Sequence, residues 1–288
     1  MKQLLVLSGK GGTGKTTIVS ALIELMEAKV FADCDVDAPN LHLLYNEFDK
    51  KIENDYYGLP VAKIDPLKCI DCGACFDNCK FDAINKDSGY SVIPHACEGC
   101  GVCKLVCPVD AVSLNENVTG YLNLFKTNEY VFSSATLKMG SGNSGKLVSE
   151  VKTQMNNNSA DAFISIIDGS PGIGCPVIAS LSGADIVLFV TEPSVSGLSD
   201  LKRVVETARV FNPIMLVCVN KYDINIKKTE EITSYCQSEN IPVIGKIPYD
   251  KMLTKCINDN ESFIDKDYLG SNAIIKMYQK LKEYIEEK

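Results

Sequence analysis

Residues Ser8–Thr17, S-G-K-G-G-T-G-K-T-T, carry the pattern G-x-x-x-x-G-K-[ST] from Gly9 to Thr16. Glycines 9, 11, 12 and 14 let backbone N–H groups turn inward around phosphate oxygens without Cβ clashes, with Thr13 and Thr17 completing the loop. Lys15 supplies a point charge to the β- and γ-phosphates, and the Thr16 hydroxyl is placed for Mg²⁺. The apolar run Leu4–Leu7 before the loop and a helix-like stretch after it give the strand–loop–helix context that aims a helix N-terminus at an anion. The expected ligand is a nucleoside triphosphate with Mg²⁺.

A second chemistry sits in the cysteines. The chain has 13, and eight fall in two runs: Cys69-x2-Cys72-x2-Cys75-x3-Cys79 and Cys97-x2-Cys100-x2-Cys103-x3-Cys107-Pro108. The doubled run resembles the bacterial-type ferredoxin arrangement, which holds two [4Fe–4S] clusters and sends the fourth cysteine of each run to the other cluster. That implies Cys69, Cys72, Cys75 and Cys107 on one cluster, and Cys97, Cys100, Cys103 and Cys79 on the other. C-x2-C pairs also make zinc sites, but two consecutive four-cysteine runs at these spacings favour iron–sulfur. The first run departs from the pattern in ending Cys79-Lys80, where Pro is expected; Lys80 also brings a positive charge that would raise its cluster's potential. The segments CIDCGACFDNCKFDAI and CEGCGVCKLVCPVDAV align without gaps, an internal repeat suited to a pseudo-symmetric module. His95 reads as an ordinary turn residue.

Periodicity supplies the elements that must position these groups. Ile18–Ala28 has helical spacing (Ile18, Leu22, Leu25, Met26) and Lys29–Ala32 reads as a strand delivering the acidic segment Asp33–Leu41. After the cysteines, Leu122–Phe125 and Tyr130–Ser134 read as strands, Met139–Gly145 as a polar loop and Lys146–Met155 as a helix. Phe163–Ile167 is a strand closing in Asp168, Ile186–Val190 a strand closing in Thr191–Ser194, and Ser199–Val210 a helix with Leu201, Val204, Val205 and Ala208 on one face. Ile214–Val219 is a strand ending in N-K-Y-D (Asn220–Asp223), and Asn272–Glu287 is a terminal helix with Ile275, Tyr278 and Ile285 among its apolar residues. The alternation predicts an α/β fold: a doubly wound, mostly parallel P-loop sheet over residues 1–59 and 115–288, with a small α+β, ferredoxin-like module inserted at 60–114.

The second lysine of the loop, Lys10, makes the form K-G-G-x-G-K-[ST]-T, which resembles the deviant Walker A ATPases: MinD and ParA proteins, the nitrogenase iron protein and Mrp-type cluster carriers. The resemblance covers nearly the whole chain. It implies ATP and a nucleotide-sandwich dimer, with itself or with a similar ATPase, in which Lys10 reaches the partner's nucleotide. It implies Asp35 as the group positioning the attacking water, Asp33 and Asp168 as magnesium-facing carboxylates, and Gly172 in a loop sensing the γ-phosphate. It also implies Asn220 as the reader of the adenine edge, with Gly245–Pro248 lying against the base. N-K-x-D also resembles the guanine motif of GTPases, so GTP stays open at this point, with the deviant P-loop favouring ATP. Cys175 lies seven residues beyond Asp168, an offset at which the nitrogenase iron protein carries a cluster cysteine; no second cysteine occurs in Ser134–Lys152, so a bridging cluster is not supplied by this chain alone. Cys34, between Asp33 and Asp35, reads as a small buried apolar residue.

Composition narrows the roles. A net charge of −8 argues against a nucleic-acid backbone as partner, and no stretch approaches the ~20 apolar residues of a membrane span. The terminal helix lacks the basic face of a membrane-gripping helix and is expected to dock on its own domain. Clustered cysteines beside a P-loop predict a reduced, cytoplasmic setting. Three readings follow: nucleotide-gated electron transfer to a partner protein, a cluster or metallocofactor carrier with a recipient protein and Cys175 as its labile site, and, least favoured, a MinD-like positional ATPase with redox-sensing clusters.

Overall fold

The computed structural model describes residues 1–44, 50–159 and 162–286. In chain order the elements are β1 (Lys2–Ser8), α1 (Lys15–Leu25), β2 (Val30–Asp33), β3 (Lys50–Tyr57), β4 (Val61–Ile64), α2 (Ala74–Asn78), β5 (Ile84–Asn85), β6 (Ser91–Val92), α3 (Val102–Leu105) and β7 (Val112–Asn115). They continue with β8 (Val118–Lys126), β9 (Val131–Leu137), α4 (Ser144–Asn158), β10 (Ile164–Pro171), α5 (Cys175–Leu181) and β11 (Ile186–Thr191). The last are α6 (Val195–Arg209), β12 (Ile214–Asn220), α7 (Ile226–Ser238), β13 (Val243–Ile247), α8 (Lys251–Asn258) and α9 (Leu269–Glu286).

A continuous apolar run such as Leu4–Leu7 suits a strand covered on both faces, and β1 takes the centre of a nine-stranded sheet ordered β13-β12-β11-β1-β10-β2-β9-β8-β3. Strand alternation divides it: Leu5 and Leu7 join one core with α4, α5, α6 and α7, while Leu4 and Val6 join the other with α1, α8 and α9. The pairs from β13 through β9 are parallel, and β8 and β3 close that side antiparallel. This is an α/β fold with a mostly parallel sheet, and its P-loop lies at the C-terminal end of the central strand.

β3 has no counterpart in the sequence reading. Its residues K-K-I-E-N-D-Y-Y are almost all exposed or half-buried, as befits an edge strand, so no apolar alternation marks it. α1 begins three residues earlier than the apolar spacing indicates and stops at Leu25, where Glu27 turns the chain at φ 48°. α9 packs Ile274, Met277, Leu281 and Ile285 onto α1 and β13, a stripe offset from Ile275 and Tyr278. The helix docks on its own domain; Glu287 of the expected helix lies outside the described residues. No described helix is long and apolar enough to cross a membrane.

Between β3 and β8 the chain makes two small antiparallel sheets, β4–β7 and β5–β6, around a separate apolar cluster of Ala62, Ile64, Cys75, Ile84 and Val112. α2 and α3 pack on each other within this segment.

Lys152 is buried on α4, and its Nζ donates to Ser180 O at 2.6 Å and Ser182 O at 2.5 Å, closing the C-terminal end of α5. Burial lowers its pKa. Lys152→Met is expected to leave these carbonyls without a donor and to cost roughly 2–4 kcal/mol, read from urea unfolding; wild-type stability in that variant would show the cap to be idle.

Candidate functional site

The loop after β1 is held open from both sides. Gly14 sits at φ 86°, and a Cβ there would come to 2.3 Å of the Asn220 amide nitrogen, so only glycine fits. A Cβ on Gly9 would strike Asp200 of α6 at 2.4 Å. The cleft beside the loop, about 380 Å³, runs from Gly11–Ile18, Asp35 and Asn40 at one end to Ile247–Asp250, Leu253 and Thr254 at the other.

At the phosphate end, Asp168 is fully buried; one carboxylate oxygen pairs with Lys15 Nζ and the other accepts from Thr16 Oγ1 at 2.9 Å. Burial alone would lower the Lys15 pKa, but the charge and hydrogen bond of Asp168 overcome it and the net shift is upward. The lysine stays a cation. Asp168 lies in register with Val6 of β1 on one side and with Asp33 of β2 on the other, so the sheet itself places the two carboxylates side by side.

Asp33 is fully buried. Its carboxylate accepts from the backbone N–H of Asp35 at 2.9 Å and of Asn40 and Leu41 at 3.0 Å, shaping the segment that presents Asp35. Burial, and then the Asp168 charge, raises its pKa to about 7. Asp35 is half-buried, lines the cleft and is also shifted upward, first by burial. Three carboxylates therefore surround one buried ammonium, an imbalance that a divalent cation would relieve. Cys34 is buried as expected, and burial pushes its thiol up to about 12.

Lys10 turns back onto its own chain. Its Nζ pairs with Glu192 Oε1 at 2.6 Å and donates to Ser194 Oγ at 3.2 Å and Ser196 Oγ at 3.0 Å. Glu192 also lies 3.5 Å from Lys221 Nζ. Sequence reasoning had no signal for this clamp, since Glu192 follows a strand far from the loop.

Asn220 is committed to the P-loop, its Nδ2 donating to Thr13 O at 2.8 Å while its Oδ1 accepts from Lys221 N at 3.0 Å. Lys221 Nζ donates to Gly12 O at 3.1 Å. Gly172 N donates to Ser8 O at 2.9 Å, tying the β10–α5 turn to the P-loop.

The eight clustered cysteines line two separate small cavities. Cys69, Cys72, Cys75 and Cys107 line one with Ile64, Ile70 and Val112; Cys79, Cys97, Cys100 and Cys103 line the other with Ala62, Ile84 and Leu114. The two halves share one backbone: Asp71 and Gly99 have φ 55° and 62°, Gly73 and Gly101 78° and 79°, Asp82 and Asp110 51° and 53°. The turn after Cys79 thus keeps its shape with Lys80 in place of Pro. Ala83 N donates to Cys79 Sγ at 3.4 Å and Ala111 N to Cys107 Sγ at 3.2 Å, the same contact in each half. Among the described residues, no three His, Cys, Asp or Glu side chains converge on a single-ion site. Cys175 is exposed at the start of α5, against Gly145 of α4, and no described group forms a metal site with it.

A phosphate-cradling loop at the C-terminal edge of a central parallel strand, with a lysine and a hydroxyl gathered by a strand-end carboxylate, defines a P-loop nucleotide-binding protein. The chain belongs to the CobQ/CobB/MinD/ParA nucleotide-binding family, whose domain it matches over residues 4–263. Two proteins of Methanocaldococcus jannaschii are similar along almost their whole length: uncharacterized protein MJ0578, 35% identical over 98% of this chain and 97% of its own, and uncharacterized protein MJ0579, 30% identical over 98% and 94%. The fold resembles that of the septum site-determining protein MinD of Pyrococcus horikoshii, solved with Mg-ADP, at a TM-score of 0.61 and 17% identity, covering 99% of this chain and 97% of that one. It also resembles Cyanothece McdA, solved with ATP, at a TM-score of 0.59 and 19% identity over 100% and 97% of the chains. ATP and Mg²⁺ are consistent with this family.

A carboxylate whose folded pKa is raised stabilises the fold below its unfolded pKa, near 3.9, and loses that contribution as pH rises through about 7. Relative to Asp33→Asn, the Mg²⁺-free wild-type protein should therefore lose melting temperature between pH 5 and pH 8. A pH-independent difference would mean that Asp33 titrates normally.

Proposed function

We propose that this chain is an ATP-hydrolysing iron–sulfur protein in which nucleotide-dependent dimer closure is coupled to electron transfer to a partner protein. The observation that carries the reading is the division of eight cysteines into two cavities of four, with Cys79 and Cys107 each exchanged into the cavity of the other run. The donor set fits two [4Fe–4S] clusters: soft thiols, apolar walls and backbone N–H groups aimed at sulfur. Cys69, Cys72, Cys75 and Cys107 would hold one, and Cys79, Cys97, Cys100 and Cys103 the other, within a ferredoxin-like module at 60–114. The clusters supply one-electron transfer when bound.

The chain's own residues do the rest. Backbone N–H groups of Gly9–Thr17 and the Lys15 ammonium bind the phosphates, and Thr16 with Asp168 holds Mg²⁺. Asp33 orders the loop on which Asp35 orients the attacking water. Lys10 leaves Glu192 to meet the nucleotide of a second copy, or of a similar ATPase, as the dimer closes. Coupling is supported by contact: Gly172 bonds to the P-loop at Ser8, Cys175 just beyond it packs on Gly145, and the loop leading into α4 puts Gly142 beside Glu98, which adjoins Cys97. The second reading, a cluster carrier, is favoured by one observation, the exposed thiol of Cys175 on that route.

Anaerobic electron paramagnetic resonance of the reduced protein should show [4Fe–4S] signals that change on adding ATP and Mg²⁺, and Cys175→Ser should keep that change. Signals absent, or indifferent to nucleotide, would defeat the coupled reading; loss of cluster delivery in Cys175→Ser would favour the carrier. Asp35→Ala should bind labelled ATP within a few-fold of wild type while phosphate release falls about 10²–10⁴-fold. Full turnover in that variant would remove Asp35 from catalysis.

A further inference from the structure

The two cysteine cavities stand in different relations to the nine-stranded sheet. The cavity of Cys69, Cys72, Cys75 and Cys107 is lined wholly by residues between Ile64 and Val112. In the other, Cys97 and Glu98 also line a further cavity of about 270 Å³. Its opposite wall comes from the sheet: residues 117–119 at the start of β8 and the loop 138–142 after β9. The second cysteine run is pinned there by close approach. A Cβ on Gly99 would come to 2.3 Å of Pro60 O, and one on Gly58 to 2.4 Å of Thr119 Oγ1. Ala62 N donates to Cys97 Sγ at 3.5 Å, so this run, the departing chain and β8 are packed as one stack.

The loop 138–142 joins that stack to the nucleotide end of the molecule. Lys138 N donates to Thr119 O at 2.8 Å, and at the other end a Cβ on Gly142 would come to 3.7 Å of Glu98 Oε2. Three residues on, a Cβ on Gly145 would come to 3.0 Å of Cys175 Cβ, just beyond the turn whose Gly172 N donates to Ser8 O of the P-loop. The Glu98 carboxylate is exposed and, among the described residues, has no hydrogen-bond or ion-pair partner, so the loop beside it decides its surroundings. Cluster potentials respond to net charge, hydrogen bonding and solvent exposure near the sulfurs. We infer that the nucleotide is felt in one cavity only: the set Cys79, Cys97, Cys100 and Cys103 answers the state of the P-loop through Glu98 and the loop 138–142. The set Cys69, Cys72, Cys75 and Cys107 does not. Glu98 is a positioning residue, passing the displacement of the loop to the cavity as a change of nearby charge. The inference rests on the coupled reading of the clusters and the P-loop.

The test is anaerobic electron paramagnetic resonance of the reduced, cluster-loaded full chain, with and without ATP and Mg²⁺. Cys72→Ala takes a thiol from the cavity confined to the module and should keep the nucleotide-dependent change in the remaining signal. Cys100→Ala takes one from the cavity beside the sheet and should lose that change. Glu98→Gln should keep wild-type iron content and ATP affinity. Its nearby cluster should shift to a higher midpoint potential, because a negative charge is gone, and respond less to ATP. A merely structural role for Glu98 would not move that potential. Hydrogen exchange of the wild-type protein gives a second readout that needs no variant. ATP and Mg²⁺ should alter protection in 94–98 and 138–142 and leave 69–75 unchanged. A response retained in Cys100→Ala, a wild-type response in Glu98→Gln, or no difference in protection between the two cysteine runs would overturn the inference. A wild-type spectrum indifferent to bound ATP would instead defeat the coupled reading itself, and the inference with it.

Discussion

The functional end of the molecule depends on one buried ion pair. Asp168 lies in β10 and Lys15 opens α1, and neither charge could be left alone in that interior without a large penalty. Asp168 also takes the Thr16 hydroxyl, so a single carboxylate determines where the lysine and the hydroxyl of the loop stand. Asp33, in register with Asp168, has its pKa raised first by burial and then by the Asp168 charge, and it accepts from three backbone N–H groups. The sheet therefore creates the electrostatic problem and the loops around it provide the solution.

Much of this was legible in the residues themselves. The phosphate loop is readable because its chemistry is local: glycines, a lysine and a hydroxyl in a fixed order between a strand and a helix. The central strands are readable because burial on both faces leaves continuous apolar runs, as in Leu4–Leu7 and Ile186–Val190. What escaped depends on groups brought together across the fold. Asp33 was legible as a magnesium-facing carboxylate, while the backbone N–H groups it accepts from depend on where Asn40 and Leu41 turn. Lys10 was legible as unusual, not as clamped, because its partner Glu192 comes from a strand end on the other side of β1. Asn220 was legible as a candidate reader of the adenine edge, while its grip on Thr13 depends on how closely Gly14 lets β12 approach. β3 was invisible because an edge strand with little to bury carries no period of two.

The antiparallel pair β3–β8 has a positional consequence for the cysteine segment. The chain leaves the sheet at Tyr57 and returns at Val118, two residues that are themselves paired. Everything between them is thus attached at one point on the sheet, next to β9, whose following loop leads to α4 and the neighbourhood of Cys175. A segment tethered this way can carry its own small core without disturbing the parallel strands.

The exchange of Cys79 and Cys107 between the two cavities also constrains how such a segment can arise and change. Each half-repeat holds only three of the four cysteines of its own cavity. Deleting either half would leave the surviving cavity with three of its four cysteines. Each half therefore depends on the other for its fourth cysteine, and the segment is one structural unit and not two.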